Sequence, residues 1–256
     1  MKSALIKNHP TKPELWQDLP LGDELKSLIE KEIAEICSKF FGYHLVRLGD
    51  LSSQIECSTC PITHQVNITS NMQTYTHLIG TPTDLPLSEN SVDAFLLAHE
   101  LDFAKDPHQI LREVDRTIMP NGYLVITGFN PFSLCGLFKY LPMNKGNILH
   151  DARFFSCARV KDWLQLLGFE IVDVKHLLFN ELFLKRKLMG DSKWNSWCHQ
   201  YLSLLTSMYI IVARKRVIPL SMIKPKWKAN PKFSTLGASV RSGAMQVEAP
   251  WKPVNK

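Results

Sequence analysis

The stretch "SVDAFLLAHELDFAKDPHQILREVDRTIMPNGYLVITGFN", residues 91–130, restricts the possible folds more than any other part of the chain. Val92 to Ala98 is a near-continuous apolar run, as expected of a strand covered on both faces in a parallel sheet. Asp106 and Pro107 then supply a helix N-cap and a first-turn proline, and Ile110, Leu111, Val114 and Ile118 fall on one helical face before Pro120 and Gly122 close the helix. "YLVITGFN" follows as a second buried strand. A strand, a helix and another strand in this order form a crossover between parallel strands, which needs helices packed on the sheet.

The flanking sequence extends the pattern. "GDELKSLIEKEIAEICSKFF", Gly22 to Phe41, places Leu25, Leu28, Ile29, Ile33, Ile36 and Phe40 at helical spacing and should end at Gly42. "YHLVRLG" reads as the first strand, with "THQVNIT" and "THLIG" as shorter ones. Later, a helix capped by Ser156 stops at Gly168, a strand spans Phe169 to Val174, a helical stretch spans Lys193 to Leu205, and "SMYIIVARKR" is a last strand. The expectation is an α/β fold with an open, mostly parallel sheet covered on both faces. Ligands of such sheets sit at the carboxyl ends of the strands near the point where strand order reverses. The loops after "YHLVRL", "THLIG" and "FLLAH" are therefore the place to search.

Charge and cysteine content narrow the function classes. The net charge is +6, but residues 1 to 214 hold 21 basic and 23 acidic side chains, while Lys215 to Lys256 holds nine basic and one acidic, Glu248. The body is near neutral and a Pro-, Lys- and Ser-rich tail carries the excess, which argues against a catalytic surface built for polyanions. The tail reads as solvated, with a cationic arm carrying Trp227, Phe233 and Trp251 for nucleic acid as the less favoured alternative. With 45% apolar residues, no secretory leader and no apolar run near the ~18 residues of a membrane span, a cytoplasmic protein with reduced thiols is expected. Cys57 and Cys60 with His64 have metal-like spacing but supply three local ligands where a closed zinc site needs four, so buried thiols are the better reading and no metal is expected.

The residues from Thr81 to Pro131, "TPTDLPLSENSVDAFLLAHELDFAKDPHQILREVDRTIMPNGYLVITGFNP", resemble the second half of a class I S-adenosylmethionine-dependent methyltransferase of the type-11 kind. An Asp-Leu-Pro turn precedes a Ser-x-Asp strand, an "LREVDR" helix and a Pro-x-Gly turn into the next strand. In looser form the likeness runs from Tyr43 to Arg214, and "MYIIVARKR" is similar to the family's final antiparallel strand. The resemblance implies a Rossmann-like seven-stranded sheet, mostly parallel with an antiparallel last strand, over residues 1–216. An insertion at about 131–156, "SLCGLFKYLPMNKGNILHDARFF" included, would be placed to cover an acceptor pocket, and the tail would occupy 217–256.

It also implies S-adenosylmethionine as cofactor and transfer of its methyl group to an acceptor, most simply a small molecule. Asp84 stands where the family accepts the adenine amine, and the Leu85 N–H would meet the ring. Leu48, Gly49 and Asp50 are what remains of the glycine-rich loop after the first strand. His99 and Glu100, with Leu101, occupy the loop that touches the methionine part and faces the acceptor, which makes His99 and Glu100 the candidates for a general base. Arg153 and His150 on the insertion are candidates for contact with an anionic acceptor. Asn130-Pro131-Phe132 follows the wrong strand to serve as an amino-methyltransferase motif and reads as a turn. The chain departs from the family in two places. One glycine replaces two or three, and the second strand ends in Thr69, Ser70 and Asn71 rather than in an acid for the ribose hydroxyls. A cofactor-free descendant that serves as a binding or scaffolding module is the rival reading that these departures motivate.

Overall fold

A computed structural model describes residues 10–19, 21–133, 148, 151–177 and 208–217. The stretch Lys193 to Leu205, most of the insertion with His150, and the tail with Trp227, Phe233 and Trp251 lie outside the described residues. A 3-10 turn, Trp16–Asp18, precedes α1, Gly22–Cys37. There follow β1, His44–Leu48; α2, Asp50–Ser53; β2, His64–Thr69; β3, Leu78–Ile79; β4, Val92–Ala98; and α3, Pro107–Thr117. The fold is completed by β5, Ile118–Phe129; α4, Cys157–Leu166; β6, Phe169–Leu177; and β7, Met208–Lys215.

The seven strands form one sheet in the order β3-β2-β1-β4-β5-β7-β6. β1, β2, β3, β4 and β5 run parallel, and β7 is antiparallel to both β5 and β6. This is the expected Rossmann-like sheet with helices on both faces. Strand order reverses between β1 and β4, which places a binding crevice beyond their carboxyl ends.

Period-2 alternation assigns each strand residue to a layer. Leu45, Ala94, Leu96, Val125, Ile210 and Val212 meet Leu25, Ile29, Ile33 and Ile36 of α1 on one face. Val46, Phe95, Leu97, Leu124, Ile126 and Ile211 meet Ile110, Leu111 and Val114 of α3 and Val160 and Leu164 of α4 on the other. Each such side chain, once fully buried, contributes about 1.5–3 kcal/mol. The α3 cap forms as the sequence predicts, since the Asp106 carboxylate accepts from the N–H groups of His108 and Gln109. The Ser156 hydroxyl likewise accepts from the Arg159 N–H at the start of α4.

Three boundaries differ from the sequence expectation. α1 ends at Cys37 and tightens into turns up to Phe40, because the chain then passes through Gly42 at φ +148° to run past Asp93, whose carboxylate accepts from the N–H groups of Tyr43 and His44. β5 starts at Ile118 rather than Tyr123, because Ile118 already pairs with Val92 across a register shift. β6 continues to Leu177 because β7 offers a partner as far as Met208. Among the described residues no helix is long and apolar enough to cross a membrane.

Candidate functional site

The site begins at the end of β1. Leu48 is fully buried, and Gly49 follows at φ +95° and ψ 165°, a region that essentially only glycine occupies. This bend turns the chain straight into α2, so Asp50, Leu51, Ser52 and Ser53 make a helical turn where the sequence suggested an open loop. The turn is tied down on both sides. The Ser53 hydroxyl donates to the Gly49 carbonyl, and the Ser52 hydroxyl accepts from the Ala98 N–H at the end of β4 at 2.7 Å.

Glu100 stands against this bend. A Cβ on Gly49 would lie 1.9 Å from Glu100 Oε2, so the missing side chain makes room for a carboxylate rather than for solvent. Lys12 reaches in from the N-terminal segment, with Nζ 2.8 Å from Glu100 Oε1 and 3.5 Å from Asp50 Oδ2. Both acidic side chains are only 5% exposed and that of Lys12 is 26% exposed. Burial alone would lower the Lys12 pKa, yet the pull of Glu100 and Asp50 outweighs it and the ammonium is held above its ordinary value. The second oxygen of Asp50, Oδ1, is buried with no partner among the described residues.

His99 precedes this acid in a positive-φ conformation, φ +53°, that turns the chain out of β4. Its ring is completely buried. It stacks on Phe129 at 4.0 Å between centroids and forms a T-shaped pair with Trp16 at 5.9 Å between centroids. Nδ1 lies 3.0 Å from Asp102 Oδ2, and that oxygen also accepts from the Phe129 N–H. A carboxylate can only accept, so Nδ1 carries the proton and Nε2 presents a lone pair. Nε2 is buried and has no hydrogen-bond partner among the described residues. The Asp102 charge and burial together push the neighbouring Tyr209 phenol well above its ordinary pKa, burial being the larger cause.

Asp84 and Leu85 follow β3 in the chain, and the Leu85 backbone is bonded to α3. Asp84 is exposed in a turn closed by its N–H to the Thr81 carbonyl. Leu85 is buried, and the N–H that the family resemblance assigns to the adenine ring donates to Glu113 Oε2 at 3.2 Å. Glu113 is itself gripped by Arg116, whose hydrogen bond is the main cause of a lowered carboxyl pKa. At the end of β2 the Thr69 hydroxyl is engaged with the Asn71 carbonyl and the Thr76 hydroxyl, while Ser70 and Asn71 are exposed.

The structure thus brings Leu48, Gly49, Asp50, His99 and Glu100 together at the ends of two adjacent strands, and sets Leu85 against Glu113 and Arg116 of α3 with Asp84 exposed just before it. Of the insertion candidates, Arg153 has its guanidinium over the Phe155 ring at 5.2 Å and its N–H on the Asp102 carbonyl. Cys57 and Cys60 are buried free thiols beside Cys37, and His64 stands against His44 instead, with 2.8 Å between their Nδ1 atoms. Three participants escaped the sequence reading. Asp102 was signalled by its spacing of three from His99 across a turn, whereas Lys12 and Trp16 carried no local signal.

Comparison with known proteins agrees with this geometry. Residues 54–126 match a family model described as a methyltransferase domain. Over 230 residues the chain is 34% identical to the uncharacterized protein YafS of Escherichia coli, covering 90% of this chain and 92% of YafS. The chain belongs to the type-11 family of class I methyltransferases. Solved structures share the methyltransferase fold at lower identity. One S-adenosylmethionine-dependent methyltransferase from Archaeoglobus fulgidus superposes with a TM-score of 0.53 at 18% identity, over 74% of this chain and 94% of that one. Another, from Thermotoga maritima, gives 0.51 at 18% identity, over 77% and 96%.

Membership in this methyltransferase family implies S-adenosylmethionine, and the donor set fits its amino-acid end. Asp50 and Glu100 already hold an ammonium group, Lys12 is a cation suited to a carboxylate, and Asp50 keeps one buried oxygen unused.

Proposed function

We propose that this chain transfers the methyl group of S-adenosylmethionine to a small-molecule acceptor, with His99 as general base and Asp102 as the residue that positions it. The sulfonium of the cofactor makes its methyl group electrophilic, so the protein's task is alignment, exclusion of water and, for an acceptor that arrives protonated, removal of one proton. The observation that carries the reading is the buried His99 ring, whose Nδ1 is fixed by Asp102 while Nε2 keeps its lone pair. Of the two candidate bases, Glu100 is held by Lys12 at 2.8 Å and is less free to take a proton. Phe129 stacks on the imidazole, Trp16 meets it in a T-shaped arrangement and Phe154 packs against Phe129, which suits an acceptor with an apolar body and one ionisable group.

Asp84 is proposed to accept the adenine amine. It is exposed and its own turn leaves the carboxylate available. Titration calorimetry with S-adenosylmethionine and with its demethylated product tests the reading. Saturable heat with a dissociation constant below about 1 mM is expected. Absence of heat and of any thermal shift at that concentration would overturn it in favour of a non-catalytic binding module.

A further inference from the structure

The family's usual device at the end of the first strand is a run of glycines whose backbone approaches the cofactor, and this chain has kept only Gly49. The structure shows what stands there instead. Gly49 opens space for Glu100, and Glu100 and Asp50 share the Lys12 ammonium in an almost closed setting.

We infer that Lys12, Asp50 and Glu100 form a clamp for the zwitterionic methionine end of S-adenosylmethionine, a role that rests on the cofactor reading above. Asp50 and Glu100 receive the α-ammonium in the place where they now hold Lys12, and Lys12 turns to the α-carboxylate. An α-amino acid end carries one ammonium and one carboxylate side by side, so the exchange replaces each ion pair of the resting triad with another of the same kind. The summed charge of the cluster is the same before and after, so no new unpaired ion is created in a setting where one would be costly. Asp50 Oδ1, buried without a partner among the described residues, gains the hydrogen bond it lacks.

Lys12 is also the member best placed to move. Its side chain is 26% exposed against 5% for each acid, and it belongs to the irregular segment before Trp16 rather than to the sheet. That segment is fastened at neighbouring points. The Thr11 hydroxyl donates to Asp151 Oδ2, the Glu14 carbonyl accepts from Gln54 and Tyr75, and the Trp16 indole N–H donates to the Leu51 carbonyl. Lys12 can therefore exchange partners while its backbone stays in place. Side-chain charge thereby does the work that closely approaching backbone does elsewhere.

The test compares two ligands by calorimetry on the full chain. S-adenosylmethionine has the amino-acid end, and 5′-methylthioadenosine retains the nucleoside and sulfur without it. Lys12→Met is expected to weaken S-adenosylmethionine binding by about 10- to 150-fold, the range for a charge-assisted hydrogen bond, and to leave methylthioadenosine within about twofold. Glu100→Gln should behave in the same way. Tighter binding of S-adenosylmethionine by Lys12→Met would overturn the clamp and make Lys12 a competitor for the site. Equal weakening of both ligands, or no change in either, would also overturn it. Wild-type protein that binds neither ligand would remove the cofactor reading itself, an outcome distinct from failure of the clamp alone.

Discussion

Adding one methyl group at position 49 tests the local architecture most directly. In Gly49→Ala the new Cβ would lie 1.9 Å from Glu100 Oε2 and 2.8 Å from its carboxyl carbon, distances at which the carboxylate must leave. Two costs then add. Holding a non-glycine residue at φ +95° and ψ 165° costs about 1–3 kcal/mol. Breaking a buried ion pair costs up to ~3–5 kcal/mol, but Lys12 is one quarter exposed and can follow its partner toward water, so about 1–2 kcal/mol is the better figure. The total, roughly 2–5 kcal/mol, corresponds to a fall of about 5–15 °C in melting temperature for a domain of this size.

Urea denaturation of wild type, Gly49→Ala, Glu100→Ala and the double variant separates the two parts. Removing the Glu100 carboxylate relieves the collision but not the backbone strain, so the second substitution should cost clearly less in the Gly49→Ala background than alone. If Gly49→Ala is within about 1 kcal/mol of wild type, or if the two substitutions are additive, the claim that Gly49 exists to admit Glu100 fails.

Other expectations concern catalysis, acid stability and thiol reactivity. His99→Gln and Asp102→Asn should each lower methyl transfer by roughly 10²–10⁴-fold while calorimetric cofactor affinity stays within about twofold; unchanged turnover would remove the pair from the chemistry. Glu113 has a folded pKa below the ordinary glutamate value of about 4.3, so its pairing with Arg116 stabilises fully above that value and is lost as pH falls through the folded pKa. Glu113→Gln should therefore be less stable than wild type at pH 7, with the gap closing in acid; a gap independent of pH in denaturation curves would refute the assignment. A hydrogen bond from Cys37 lowers the Cys60 thiol to about 7. Iodoacetamide labelling read by mass spectrometry should modify Cys60 ahead of Cys37 and Cys57, with a rate that climbs through pH 7, whereas a midpoint near the ordinary ~8.5 would contradict it.

The parts of the fold that were legible in the sequence are those where one local signal is enough. Val92 to Ala98 reads as a covered strand because, Asp93 apart, both alternating faces are apolar, and Asp106-Pro107 marks a helix start because the cap needs only those residues and the N–H groups just beyond. Strand ends were less legible, since β5 and β6 gain residues from pairing partners distant in sequence, Val92 and Met208. The site divides along the same line. Gly49, Asp50, His99 and Glu100 lie at the ends of strands that the pattern locates, and so could be named. Lys12 acts across 88 positions of chain, and its role depends on where an irregular N-terminal segment settles, which no periodicity encodes. The single glycine looked like a deficit because a glycine-rich loop is judged by composition. In the structure it is a space matched to one carboxylate.

Two anchorages flank residues 134–150. Ser133 is locked by both its N–H and its hydroxyl to the Asn130 carbonyl, and on the far side the Arg153 N–H is fastened to the Asp102 carbonyl while Ala152 and Phe155 are sunk in the interior. Both ties end beside the imidazole's own partners, Phe129 next to Asn130 and Asp102 itself, so the ring and the two anchorages belong to one short piece of framework.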